Sequence, residues 1–347
     1  MSQDNVTSKY RFILYVEQNY SFDILRPIYD LASKLGHDVR WLLVGSDASS
    51  HLLKLSEKRL GSIIEAKNFS ADAVFVPGDR VPSFLSGLKV QVFHGLNESK
   101  RGNIYPERGM FDLYCTEGPE RTSTLSRLAE RKKYFKVIET GWVKLDTLFS
   151  HQDKIARKEK PTIFFASTFS PNLSCAEFIY DEIAKLSKEG DWEWIVTLHP
   201  KMDKKTVKKY QLLESDELSF IDNENVIEAM HVSDVMVCDN SSIFQEFLLL
   251  NKPVVTVNNR EPQPSFINIT KPCELKTAIY DALNPSPELK ESIEGYGLSI
   301  TPYLDGHSAQ RIINATIGMI NSGWKDKKPI NIIRNFKIRK SLNFWKI

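Results

Sequence analysis

The chain has 347 residues, of which 41% are hydrophobic and 26% charged, and its net charge is +2. That length suits two domains of ordinary size, and the composition excludes a disordered or fibrous chain. The longest apolar runs, IVTL at Ile195 and FLLL at Phe247, fall far short of a membrane span.

The N-terminal segment MSQDNVTSKY is polar, so no signal peptide is expected. Cys115, Cys175, Cys238 and Cys273 are widely spaced without a CxxC pair, which points to reduced thiols, a cytoplasmic protein and no structural zinc. A strand is predicted over 11–16 and a helix over 24–35, closed by Gly36. A strand over 39–44, a helix over 52–60 and a strand over 73–76 running into Pro77-Gly78 follow. The run KVQVF (89–93) is a strand that delivers His94-Gly95 at its end. Residues 113–115 lead into Thr116-Glu117-Gly118-Pro119 and a basic helix reaching Lys133. A last strand, 137–139, ends at Thr140-Gly141-Trp142.

The polar segment 150–161, closed by Pro161, reads as a linker. The pattern then restarts with strand 162–166, loop 167–171, helix 174–188 and strand 193–198, which ends at His199-Pro200. Strand 218–221 and helix 226–230 precede the sharpest unit, SDVMVCDNSSIFQEFLLLNKPVVTV (233–257). There strand 235–238 meets the turn Asp239-Asn240-Ser241-Ser242. Helix 243–250, the Asn251-Lys252-Pro253 stop and strand 254–257 complete the unit. Helices near 273–284 and 308–321 close the pattern. The alternation implies an α/β protein with two doubly wound domains, 1–155 and 156–324, facing each other across a cleft.

Residues 325–347 form a basic amphipathic tail with eight Lys or Arg against one Asp, interleaved with Ile332, Ile333, Phe336, Ile338, Leu342, Phe344 and Trp345. Two readings stand: a segment lying on an anionic membrane surface, or a terminal helix packed on the body.

The residues suited to chemistry sit at strand ends. His94 after VQVF is placed to act as a general base, with Glu98 to orient it and Lys100-Arg101 to meet phosphate. His199, its backbone restricted by Pro200, can donate to a phosphate oxygen. The Asp239–Ser242 turn sets small hydroxyls at a helix start, where anions bind. In Asp305-Gly306-His307-Ser308-Ala309-Gln310-Arg311, Arg311 can present a bidentate guanidinium. Taken singly, each motif equally fits an N-cap, a backbone-bonded histidine or solvated charge.

In order, FHG (93–95), LHP (198–200), SDVMVCDNSS (233–242), NKP (251–253) and DGHSAQR (305–311) resemble the CDP-glycerol glycerophosphotransferase family, the teichoic-acid primases and polymerases. The resemblance covers roughly 85–315. Two places depart from it: Asn240 stands where an aromatic is common, and LeuAsnGluSerLys replaces a small-Pro-Leu-Lys run. The resemblance implies a GT-B-like fold of Rossmann-like domains, acceptor-side first and nucleotide-binding second. It implies transfer of a polyol phosphate from a CDP-polyol donor to a glycan or lipid-linked acceptor, with CMP released. Carried over by motif, His94 becomes the base, and His199, Ser241 and Ser242 hold the diphosphate. Glu98 counts with the catalytic set; Gly95, Pro200, Asp239, Glu246 and Arg311 count with the donor-binding set. Metal and cofactor are not expected, there being no Asp-x-Asp triplet, and no nucleic-acid partner is expected. The alternatives are a nucleotide-sugar glycosyltransferase or UDP-N-acetylglucosamine 2-epimerase of the same fold, and a non-catalytic nucleotide-binding protein of capsule assembly. An epimerase needs several carboxylates at its site, and few are assignable from sequence.

Overall fold

Strand β1 (Arg11–Val16) is apolar on both faces, as a strand must be when helices cover it from both sides. Phe12, Leu14 and Val16 point into one core cluster, Ile13 and Tyr15 into another. The computed structural model describes residues 9–95, 107–149, 159–221, 225–324 and 328–345. After β1 come α1 (Ser21–Lys34), β2 (Asp38–Leu43), α2 (Ile63–Phe69), β3 (Ala73–Val76), β4 (Leu88–Gln91), β5 (Leu113–Thr116), α3 (Pro119–Lys132), β6 (Lys136–Glu139) and α4 (Lys144–Phe149). These strands form one parallel sheet in the order β2-β1-β3-β4-β5-β6.

A second parallel sheet, ordered β12-β11-β10-β7-β8-β9, is built from the next stretch. Its elements are β7 (Thr162–Ser167), α5 (Tyr180–Glu189), β8 (Glu193–Leu198), α6 (Lys204–Gln211), β9 (Leu218–Phe220), α7 (Val226–Val232), β10 (Val235–Cys238), α8 (Ile243–Leu248), β11 (Val254–Val257), β12 (Ile267–Ile269), α9 (Leu275–Leu283) and α10 (Pro287–Ile300). Its core joins Ile163, Phe165 and Val237 to Ile183 of α5 and Ile279 of α9. Two doubly wound α/β units of six strands each are therefore present.

The chain then returns. One unit comprises Met1–Phe149 with Ile300–Ile347, the other Ser150–Ser299. This corrects the expected boundary at 324. Helix α11 (Ser308–Asn321) lays Ile312, Ile313 and Met319 into the first unit's core beside Phe12 and Phe22. Its amphipathic period announced a buried face but not which sheet would bury it. Helix α12 (Ile332–Ser341) follows, with Ile338 and Phe344 buried on the opposite face of the same sheet, and Phe344 stacks 4.5 Å from the Phe84 ring.

The helix expected over 52–60 is absent. Residues 58–60 pair instead with the edge of β2, Trp41 N–H donating to Lys58 O and Leu60 N–H to Trp41 O. The helix forms at α2, where the Ser62 hydroxyl caps the Glu65 N–H at 3.1 Å. The helix expected from 174 begins at Tyr180, because the Cys175 N–H is held by a buried carboxylate. Strand β12 and helix α10 had no expectation. Among the described residues, no helix is long and apolar enough to cross a membrane.

Candidate functional site

The C-terminal edge of the first sheet gathers its titratable groups from four strand ends. Glu17 follows β1, Asp79 and Arg80 follow β3, His94 follows β4, and Glu117 follows β5. His94 is half-buried, its Nδ1 3.2 Å from the Pro77 carbonyl. Since a carbonyl only accepts, Nδ1 carries a proton, and in the neutral ring Nε2 is the basic nitrogen. The turn behind it is tightly held. Gln91 is buried and donates to Gly78 O at 2.9 Å, tying the β3 and β4 ends together. Phe93 adopts φ +56°, a strained conformation for an aromatic residue. Arg121 supports it, with its guanidinium 4.2 Å from the Phe93 ring centroid, a 2.7 Å ion pair to Glu117, and a 3.2 Å hydrogen bond to Gly95 O. Gly95 thus serves through its carbonyl.

Beside this turn, Glu17 accepts from the Tyr15 hydroxyl and meets Arg80 at 3.4 Å. Burial raises the Glu17 carboxyl above its ordinary range, Arg80 opposing the shift only in part. The Tyr20 ring lies 5.4 Å from the His94 ring. Sequence reasoning missed Glu17, Asp79, Glu117 and Arg121. Their signal was available, since each lies within three residues of a strand end or in the first turn of the helix after one. Glu98, Lys100 and Arg101 lie outside the described residues.

The second sheet's C-terminal edge is organised by Asp239, which is fully buried. Its carboxylate accepts from Ser167 Oγ at 2.6 Å and from the N–H groups of Thr168, Cys175 and Ser241 at 3.0–3.1 Å. Burial pushes its pKa up, and those four donors pull it back. Asp239 thus locks the loop after β7 to the turn after β10. Asn240 completes the lock. Its amide nitrogen donates to Leu173 O and Asn258 O, both at 3.2 Å, and its Oδ1 accepts from Arg260 N–H at 2.9 Å. No aromatic side chain could make those three bonds.

Ser241 is half-buried and Ser242 exposed at the start of α8, whose six residues give only a short stack of peptide dipoles. Glu246 sits half-buried on that helix. His199 ends β8 with Pro200 exposed after it. His199 Nδ1 accepts from Lys201 N–H at 3.0 Å, so the proton of the neutral ring sits on Nε2, opposite to His94. Burial and Lys201 lower its pKa and keep the ring neutral. Phe169 stacks on it at 4.5 Å.

Arg311 is not on this edge. It belongs to the first unit, where its Nε donates to Thr140 O at 2.7 Å and both Nη groups engage Asp305 at 2.9 Å. Its guanidinium also lies 4.0 Å from the Tyr303 ring. With these bonds it anchors α11 to the loop after β6 and to the turn at Asp305. Asp146 caps the same helix, accepting from Ser308 N–H and Ala309 N–H at 2.9 and 2.6 Å. Among the described residues, no three His, Cys, Asp or Glu side chains converge as metal ligands. A cavity of about 210 Å³ opens where β4 begins, at the opposite end of the first sheet, lined by Lys89, Lys328 and Asn331.

No curated protein matches the chain in sequence. Solved structures share the fold. A putative UDP-N-acetylglucosamine 2-epimerase from Listeria monocytogenes aligns with TM-score 0.63 at 16% identity, covering 94% of this chain and all of that one. S. aureus MnaA solved with UDP aligns with TM-score 0.61 at 17% identity over 93% of this chain and 99% of that one. The wall teichoic acid polymerase TagF aligns with TM-score 0.60 at 16% identity over 90% and 89%. The fold expected from the motif order is thus present, while the family model that matches is not the glycerophosphotransferase one. It is that of UDP-N-acetylglucosamine 2-epimerase, and it spans residues 110–316. As that span exceeds half of the chain, the protein belongs to the UDP-N-acetylglucosamine 2-epimerase family.

Proposed function

We propose that the protein is an enzyme acting on a nucleoside-diphosphate-linked sugar, with inversion at C2 of UDP-N-acetylglucosamine as its reaction. The observation that carries this reading is the pair of titratable groups on one sheet edge, His94 with its Nδ1–H held by Pro77 O and Glu17 with its raised carboxyl. Inverting a carbon that bears hydrogen needs one group to remove a proton and another to return it on the other face. The carboxylates that sequence alone left scarce are supplied by Glu17, Asp79 and Glu117. On the second unit, His199 Nε2–H and the hydroxyls of Ser241 and Ser242 are the donors for a diphosphate. The Ser241 N–H is already engaged with Asp239.

The test is incubation with UDP-N-acetylglucosamine in D2O, followed by NMR. The expected result is formation of the C2 epimer with deuterium at C2. A second reading is polyol-phosphate transfer from CDP-glycerol or a related CDP-polyol to a glycan or lipid-linked acceptor. It is favoured by the opposite tautomers of the two strand-end histidines, one suited to deprotonate an acceptor hydroxyl and one to hold a phosphate oxygen. The likeness to TagF supports it as well. CMP release from CDP-glycerol, without exchange at C2 of the UDP-sugar, would replace the first reading with the second.

A further inference from the structure

We infer that α12 is a docking surface for an anionic lipid bilayer. Its inward side is anchored on the first unit. Ile338 and Phe344 are buried, Asn331 Nδ2 donates to Gly109 O at 2.9 Å, and Arg334 donates to Arg108 O at 2.8 Å. The outward side is apolar where a solvated helix would be polar. Ile332 is 73% exposed, Ile333 72%, Phe336 56% and Trp345 52%. Residues 332, 333, 336, 337 and 340 share one helical face, so Lys337 and Lys340 flank those isoleucines and Phe336. Phe336 and Trp345 pack ring to ring at 5.4 Å, making one aromatic cluster of two exposed side chains.

An apolar stripe fringed by lysines, with a tryptophan at its end, matches the interface of an anionic bilayer, where apolar side chains enter the acyl boundary and ammonium groups meet lipid phosphates. A protein partner would need a complementary acidic groove. A second copy of the chain would bring the same positive charge against itself. Charge thus selects the bilayer. The anchoring bonds hold the face in place before binding, so little ordering is required on contact.

Flotation of the full chain with vesicles tests this. The expected result is co-flotation with vesicles of phosphatidylcholine containing phosphatidylglycerol, weakened by salt, and none with phosphatidylcholine alone. Lys337→Glu with Lys340→Glu should reduce the bound fraction about tenfold or more. Phe336→Glu should abolish binding. These side chains are exposed, so circular dichroism and Tm should stay unchanged in every variant. Equal binding to neutral vesicles, or none to anionic ones, overturns the inference. So does self-association of the parent chain that Phe336→Glu abolishes while vesicle binding persists, since a second copy would then cover the face.

Discussion

His94 and His199 occupy equivalent positions at strand ends, and their hydrogen bonds give them opposite proton placements. Replacing His94 by Ala should lower kcat by about a hundredfold or more while leaving nucleotide affinity unchanged, as isothermal titration and turnover assays would show. Normal turnover of that variant removes His94 from the mechanism. Glu17 carries a stability cost with a definite sign. Its folded pKa is raised, so its contribution to stability falls as pH rises through the carboxylate range. Glu17→Gln should therefore raise Tm at pH 7 and not at pH 4, while turnover is lost. Asp239 is the reverse case, a fully buried carboxylate bonded to the protein's own hydroxyl and amides. Asp239→Ala leaves the N–H groups of Thr168, Cys175 and Ser241 unpaired, at about 1–3 kcal/mol for each that stays buried. Denaturant melts should show the loss, and nucleotide affinity should fall with it.

At the scale of elements, the β5–α3 junction is the most demanding. Gly118 lies where an added Cβ would stand 2.0 Å from Ile300 O, a backbone atom that cannot step aside. Gly118→Ala should displace the segment at Ile300 and disturb the adjacent Glu117–Arg121 pair. The check is a fall in Tm together with a lowered kcat. The docking of α11 has a pH signature. The Asp305 carboxyl is pulled down to about 2 by its hydrogen bonds from Arg311. A depressed folded pKa gives stability that is complete above the ordinary carboxylate value and is lost as pH falls toward 2. The pair is largely open to water, so the effect is about 1 kcal/mol or less. Urea melts at pH 5 and pH 2.5 should show this increment in the parent and not in Asp305→Asn.

At the scale of the whole molecule, the two units are not two consecutive halves of the chain. The last 48 residues belong to the first. A chain ended at residue 299 should fail to fold its first unit, since Ile312, Ile313 and Met319 of α11 are part of that unit's core, and each lost side chain costs about 2–5 kcal/mol. Proteolysis should digest that unit while the second survives.

Most strands were legible from sequence, because a parallel strand buried on both faces must be continuously apolar, as in VMVC and VVTV. So was the placement of His94 and His199 after β4 and β8, because a strand-to-turn change in composition marks where a strand ends. Local pattern failed at 52–60, where strand pairing to Trp41 outweighed helical spacing, and it did not show the internal hydrogen bonds of Asp239 and Arg311. An acidic or basic side chain in a loop motif looks the same whether its partners are a ligand or the protein's own amides and carboxylates. The sequence by itself determined two doubly wound α/β sheets and which residues end their strands, since both follow from side-chain periodicity and turn chemistry along the chain. Only the tertiary structure decided that α11 and α12 close the first unit, that Asp239 and Arg311 bond to the protein's own groups, and which backbone group meets Nδ1 of each histidine. Those outcomes depend on contacts between residues far apart in the chain, and local pattern does not record them.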